Sequence, residues 1–367
     1  MKIFLDPQIF WWQKYGGISR YHIEVAIRLK DDFGVQILCP VFYHENEYLN
    51  ETSLASVPKL AKTLATMNFR GKYRLIQVIN LLYAIWHIVF DDYDLFHSTY
   101  HKNYFKPWVR VPIVSTLHDL YDELFSSSTT KTVRLKKEQI RISKGIILIS
   151  NFTKDSFLTY YREFQNKSLK TISHGSSIKK PLILKSNKEP TDYLLFVGTR
   201  ARYKNFEFAL KFLSYIRERY PRLSLIAAGG PEFSADEHQL MKSLDVETKV
   251  LHRPILGDNL SEMYANALAL IFPSRFEGFG IPILEAFQCD CPVLIPEDHV
   301  FPEVAGTAGF FYTPDDLASC RGAFEELLDT SERKVKIQKG RKVAETYSWS
   351  KSARLHKQFF DSLISAW

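Results

Sequence analysis

Residues 272–296 read FPSRFEGFGIPILEAFQCDCPVLIP, and two carboxylates, Glu277 and Glu285, stand eight positions apart around Gly278 and Gly280. The apolar run 267–272 before them predicts a buried strand. Pro282 suits the first helical position, where its missing N–H has no helical partner. Glu277 therefore belongs to a loop and Glu285 to the first turn of a helix. The glycines open the loop backbone to close approach, and the positive end of the helix dipole favours an anion such as a phosphate. Carboxylates accept hydrogen bonds from hydroxyls, so two of them flanking a phosphate site suit a ligand with a polyol on each side. A nucleotide-linked sugar has that form. Taken singly, a Gly-x-Gly after a strand, or a glutamate that complements a helix dipole, fits a structural role as well.

Other loops carry further groups of this kind. The strand-like run 193–197 ends in Gly198-Thr199-Arg200, and Lys204-Asn205 opens a helix with Phe206, Ala209, Leu210 and Leu213 on one side. Arg200 and Lys204 thus project beside a helix N-terminus, where a guanidinium fork and a compact ammonium bind phosphate; such loop cations are also commonly just solvated. Tyr15-Gly16-Gly17-Ile18-Ser19-Arg20 lies between the first strand and the first helix but lacks the three spaced glycines of a dinucleotide fingerprint. His118-Asp119 ends the run VPIVSTL, and Ser150-Asn151-Phe152-Thr153 and Ser173-His174-Gly175 follow further strand-like runs.

The elements that must position these residues alternate between two periods. Runs 2–5, 35–39, 95–97, 112–117 and 145–150 are short, apolar and in large part β-branched. Residues 18–29 instead place Ile18, Tyr21, His22, Val25, Ala26 and Leu29 at helical spacing. After a basic, proline-containing stretch, KKPLILKSNKEPTD, the alternation restarts with strands at 193–197, 223–228, 249–251, 267–272, 292–295 and 309–312. That order predicts two parallel sheets with helical crossovers, each binding ligands beyond its strand C-termini. The domains expected are 1–180, a linker 181–192, a second domain 193–347, and a last segment 348–367 returning to the first.

Composition bounds the class. The chain has 367 residues, 46% of them hydrophobic and 24% charged, as in ordinary globular proteins. The N-terminus reads as a first strand rather than a signal peptide. Residues 75–90 fall short of the roughly 20 apolar positions that span a bilayer and predict a buried helix. Four cysteines without Cys-x-x-Cys spacing predict reduced thiols and a cytoplasmic setting. Residues 1–188 hold 27 Lys and Arg against 16 Asp and Glu, whereas residues 189–367 hold 21 against 25. The first half therefore faces something anionic. Residues 131–144, KTVRLKKEQIRISK, concentrate that charge and read either as a solvated helix face or as a surface for phospholipid headgroups or a lipid diphosphate. A nucleic-acid partner is disfavoured, because the aromatics do not interleave with the basic patch and both glutamates would repel a phosphate backbone.

The glutamate pair around Gly278-Phe279-Gly280, with the segment 302–316 after it, resembles the signature of retaining glycosyltransferase family 4. The resemblance implies an α/β GT-B fold, two Rossmann-like doubly wound domains facing across a cleft. It implies that Gly198, Arg200, Lys204, Glu277, Gly278, Phe279, Gly280, Ile281 and Glu285 bind the donor, with Gly16 and Gly17 approaching its diphosphate. His118, Arg200, Lys204 and Glu277 are the catalytic set it implies. Arg20, Asp119 and Asn151 are weaker acceptor-side transfers, and residues 252–254 fall where the base often binds, with purine and pyrimidine both open. With no Asp-x-Asp cluster in a suitable loop, no divalent metal and no cofactor are expected. The opening FLDPQIF…YGGISRY is nearest to bacterial O-antigen mannosyltransferases. The expected reaction moves mannose from GDP-mannose to a lipid-linked or growing surface polysaccharide, in the cytoplasm and in peripheral contact with an anionic membrane. Another donor, UDP- or dTDP-linked, and a nucleotide-sugar epimerase on the same fold are the competing readings.

Overall fold

Parallel strands covered by helices on both faces are buried along their length, as the inner strands here are almost throughout, whereas edge strands stay partly exposed. A computed structural model of the chain describes residues 1–55, 57–66, 70–125, 130–181, 192–255 and 259–367. It divides into two compact units, Met1–His174 with Trp349–Trp367, and Gly175–Ser348. The expected linker 181–192 lies almost entirely outside the described residues.

In the first unit the elements are β1 (Lys2–Leu5), α1 (Gly17–Phe33), β2 (Gln36–Leu38), α2 (Glu47–Asn50), α3 (Lys59–Thr66), α4 (Lys72–Phe90), β3 (Leu95–Ser98), β4 (Ile113–Leu117), α5 (Tyr121–Phe125), α6 (Lys131–Ile142), β5 (Gly145–Leu148), α7 (Asn151–Tyr160) and β6 (Ser168–Thr171). The second unit holds β7 (Tyr193–Val197), α8 (Phe206–Ile216), β8 (Ser224–Ala228), α9 (Ala235–Ser243), β9 (Val250–Arg253), α10 (Asn259–Asn266), β10 (Ala269–Ile271), α11 (Ile281–Gln288), β11 (Val293–Pro296), α12 (Phe301–Ala305), β12 (Phe310–Tyr312), α13 (Leu317–Leu328) and α14 (Thr330–Thr346). The last helix, α15 (Trp349–Ser365), packs on α1 of the first unit.

Both sheets are all-parallel, ordered β2-β1-β3-β4-β5-β6 and β12-β11-β10-β7-β8-β9. The chain reverses its direction of travel between β1 and β3 in one sheet and between β7 and β10 in the other. At such a point the loops after the two strands diverge and leave a crevice. Strand β6, the run that precedes Ser173, is the polar and alternately exposed SLKT, and its pairing to β5 makes it an edge strand.

Two expectations are corrected. The helix containing residues 75–90 is not buried: only Ile76, Asn80, Ala84 and Ile88 of the 19 residues of α4 face inward. Helix α6 is not purely a basic surface either. Its Lys136 is 3% exposed, with Nζ 3.0 Å from Glu123, 3.2 Å from Asp122 and 3.7 Å from Asp119.

The joint between α1, α15 and the sheet of the first unit is rich in histidine. Ser352 O accepts from His356 Nδ1 at 2.7 Å, so Nε2 accepts the Tyr21 hydroxyl at 2.6 Å. Thr116 Oγ1 links Tyr21 (3.2 Å) to His97 Nε2 (2.9 Å). His22, His118 and His174 complete a ring of aromatics around Tyr21. Burial holds all five histidines neutral. His356 falls to about 4, His118 to about 3, and His22, His97 and His174 lie well below 6.5. Unfolded histidines bind protons below about pH 6.5, whereas these do not, so stability must fall as the pH drops from 6.5 toward 4, each group contributing up to about 1.4 kcal/mol per pH unit. Asp6 works the other way: burial raises its pKa to about 7, and its folded-state proton offsets about one histidine. Denaturant midpoints measured between pH 7.5 and 4.5 should therefore decline steeply, and a flat profile would show that the joint is already hydrated.

Candidate active site

Strands β7 and β10 are neighbours at the reversal point of the second sheet. The loop after β7 turns at Gly198 (φ 108°), runs through Thr199 to Lys204 and enters α8 at Asn205, which holds a left-handed φ of 54°. The loop after β10 ends at Gly280, whose φ of 96° excludes a side chain without strain. Arg275 N–H donates to Tyr203 O at 2.8 Å, and both Asn205 Nδ2 and Arg275 Nη2 donate to Asp315 Oδ1, at 3.0 and 3.2 Å. These bonds tie the two loops together. Between them Lys204 Nζ donates to Glu277 Oε1 at 2.6 Å, with both side chains 14% exposed. Burial pulls the Lys204 pKa down and the Glu277 carboxylate pushes it up, for a net rise, so the ammonium stays charged at neutral pH. Nζ also lies over the rings of Phe272 (5.0 Å) and Tyr203 (5.4 Å).

Helix α11 starts at Ile281, one residue earlier than Pro282 suggests, so Glu285 is its fifth residue and lies just past the first turn. Its carboxylate is buried and accepts the Tyr264 hydroxyl of α10 at 3.0 Å. Phe279 is buried edge-on against Tyr347, 5.5 Å between ring centres, which fixes the Gly-Phe-Gly loop from behind.

The reversal point of the first sheet carries a recess of about 20 Å³ lined by Ile18, Thr99, Tyr100, His101, His118, Asp119 and Lys136. The loops after β1, β3 and β4 meet there. Gly16 accepts Arg20 N–H (3.1 Å) and Ser19 Oγ–H (3.1 Å) at the start of α1. A Cβ on Gly16 would strike Gln13 Oε1 at 2.3 Å, whereas one on Gly17 would meet nothing within 4 Å. His118 is pushed to about 3 by burial and by the nearby His101 and Lys136, so it works as a neutral ring. Asp119 caps Tyr121 N–H at 3.0 Å and lies 3.7 Å from Lys136 Nζ.

Two family models cover the chain almost end to end: Glycosyltransferase Family 4 over residues 15–179 and Glycosyl transferases group 1 over residues 180–343. The chain belongs to glycosyltransferase family 4. It is 25% identical to the O-antigen chain mannosyltransferase RfbU of Salmonella typhimurium over 85% of this chain and 87% of that one. It is 26% identical to O-antigen chain mannosyltransferase B of Escherichia coli over 91% and 92%. Its fold is the GT-B fold. A superposition covering all of both chains, with a TM-score of 0.73 at 19% identity, relates it to Anabaena HepE, solved in complex with UDP-glucose.

Within this glycosyltransferase the second unit brings Lys204, Glu277, Gly278, Phe279 and Gly280 onto two joined loops, with Ile281 opening α11 and Glu285 buried one turn further on. In the first unit Gly16, Gly17, His118 and Asp119 gather at one reversal point. Asn151 is the exposed first residue of α7, and Arg20 is a half-buried residue of α1. Arg200 departs most from expectation, because its guanidinium is engaged by protein and is only 3% exposed. Nε donates to Glu237 Oε1 at 2.6 Å, and Nη2 to Pro231 O (2.6 Å), Glu232 O (3.0 Å) and Glu237 Oε2 (3.4 Å). The group stacks on Phe233, 4.7 Å from the ring centre. His252 holds the same loop through Gly229 O at 3.2 Å and Glu232 at 3.1 Å. Through Nε and Nη2 Arg200 anchors the β8–α9 loop, and Nη1 has only Gly229 O at 3.4 Å.

Sequence reasoning missed Glu237, which also closes a capping box with Ser234, and Tyr264. The Ser-x-x-Glu spacing at 234–237 was the available signal for the first; nothing local marks the second. Arg200→Ala leaves Glu237 and the Pro231 and Glu232 carbonyl groups short of a donor and should cost about 2–3 kcal/mol of stability. Thermal unfolding checks this, and an unchanged midpoint would return Arg200 to the list of ligand-binding cations.

Proposed function

We propose that this glycosyltransferase moves a sugar from a nucleoside diphosphate to a hydroxyl of a lipid-linked or growing surface polysaccharide, with retention at the anomeric carbon. The observation that carries the reading is the charged Lys204 paired with Glu277 at the reversal point of the second sheet, one turn from the buried Glu285. A donor entering there exchanges the ion pair for two contacts: Lys204 takes the diphosphate, and Glu277 is released to sugar hydroxyls. Glu285, held by Tyr264, accepts from the ribose hydroxyls. As the bond from the anomeric carbon to the phosphate oxygen breaks, negative charge grows on the leaving group, and Lys204 with the α11 N-terminus stabilises it more than the ground state. The acceptor oxygen bonds to the same face of that carbon, and its proton passes to the departing phosphate. Lys204 and the loop amides supply the charge that a divalent metal provides elsewhere, so we propose a metal-independent reaction needing no cofactor.

Mannose from GDP-mannose is the donor we favour, because two relatives matched over most of their length are O-antigen mannosyltransferases. HepE, solved with UDP-glucose, supports a UDP-sugar as the second reading. The recess beside the neutral His118 suits an acceptor hydroxyl, and a lipid-linked acceptor places the work at the cytoplasmic face of a membrane.

Lys204→Ala should lower turnover about 100- to 1,000-fold, and near-normal transfer by the purified variant removes its assigned role. Tyr264→Phe should raise the donor KM about 2- to 10-fold while changing kcat little, since one hydrogen bond to Glu285 is lost; an equal fall in kcat would place Tyr264 in the chemistry instead. GDP should raise the unfolding temperature more than UDP, dTDP or ADP. Transfer should persist in EDTA; a loss restored by Mg²⁺ or Mn²⁺ would reverse the metal-independent reading.

A further inference from the structure

Helix α4 has two apolar faces, and among the described residues one of them is covered. Ile76, Asn80, Ala84 and Ile88 turn inward. The Asn80 amide exchanges two 2.9 Å bonds with the Tyr43 backbone, and Ile88 joins the core of Phe4, Phe96 and Phe105. On the opposite side Leu75, Val78, Leu82, Trp86 and Val89 recur at intervals of three and four, the spacing of a continuous helical stripe. All five are at least 42% exposed, with Phe90 (68%) at one end of the helix and Tyr73 (67%) near the other. At 1.5 Å per residue the stripe is about 21 Å long. A contiguous apolar surface of that kind marks an interaction site rather than chance exposure.

The charge around it selects the occupant. Arg70, Lys72 and Arg74 flank the N-terminal end, and no Asp or Glu occurs from Lys72 to Phe90. The whole first unit holds 26 Lys and Arg against 17 Asp and Glu, a net +9. A second copy would bring like charge to this face, whereas an anionic bilayer offers both the acyl boundary and the counter-charge. Tyr73, Trp86 and Phe90 are side chains that settle at the headgroup level. The helix is long and apolar enough to cross a membrane by composition, but its inner face is bonded into the unit, so it lies along a surface.

We propose that the outer face of α4 seats the first unit in the headgroup–acyl boundary of an anionic bilayer, with Arg70, Lys72 and Arg74 on lipid phosphates. The purpose of this contact rests on the lipid-linked acceptor proposed above, but the contact itself does not. Vesicle binding is therefore measured with the full chain and no donor or acceptor, so that failure here and failure of the transferase reading, seen in the nucleotide thermal shifts, remain separate.

The chain should float with phosphatidylcholine vesicles containing phosphatidylglycerol, less so as salt rises, and poorly with phosphatidylcholine alone. Val78→Asp with Leu82→Asp should cut the bound fraction at least about tenfold, with an unchanged circular dichroism spectrum and unchanged transfer to a soluble acceptor. Lys72→Glu with Arg74→Glu should weaken binding to the anionic vesicles. A blue shift of tryptophan emission on binding should shrink in Trp86→Phe. Three results would overturn the proposal: no flotation with anionic vesicles, flotation unchanged in the double aspartate variant, or a dimer that Leu82→Asp dissociates without any lipid binding.

Discussion

The ion pair between Lys204 and Glu277 depends on a constraint that reaches through the whole second unit. Two side chains 73 positions apart meet at 2.6 Å only because β7 and β10 are adjacent and the chain departs from them in opposite directions. The reversal opens room between the loops, and Asp315 and the Arg275 amide close them to a fixed separation. Burial then makes the pair matter: in a low-dielectric pocket neither charge is solvated well enough to stand alone, so each is held ready for a ligand group of the other's sign.

The surroundings of this pair are arranged to keep it still. Arg200 and His252 grip the loop after β8, the strand beside β7, and Phe279 braces the Gly-Phe-Gly loop against Tyr347. Tyr264 fixes Glu285 from α10. None of these groups has to touch a substrate to matter; each removes a freedom that would otherwise be lost on binding. The first unit uses neutral rings for the same end. Four buried histidines and Tyr21 join α15 and α1 to the sheet, and the half-buried His118 stands where that cluster reaches the loop after β4.

Much of the fold was legible because strands and helices announce themselves locally. The continuous apolar runs at 193–197 and 267–272 can only be strands buried on both faces, and the stripe beginning at Ile18 can only be a helix with one buried side. Glu277, Glu285 and Lys204 were readable for a related reason, since each sits at a fixed offset from a strand end, a glycine or a proline. Strand β6 showed only as a run before Ser173, because SLKT has no apolar pattern of its own and exists by pairing with β5.

What the sequence by itself determined is the alternation of elements, the two parallel sheets and the loops that carry charge, all consequences of periodicity and turn chemistry within a few residues. The tertiary structure alone decided where the long side chains go. Arg200 folds back onto Glu237, Lys136 turns inward to three carboxylates, and Tyr264 reaches Glu285 from another helix. Helix α4 shows the same division: its composition is that of a buried segment, yet only one of its two apolar stripes finds a partner among the described residues. Pattern sets which residues share a face, whereas the partner of that face depends on strand order and on contacts between residues far apart in sequence.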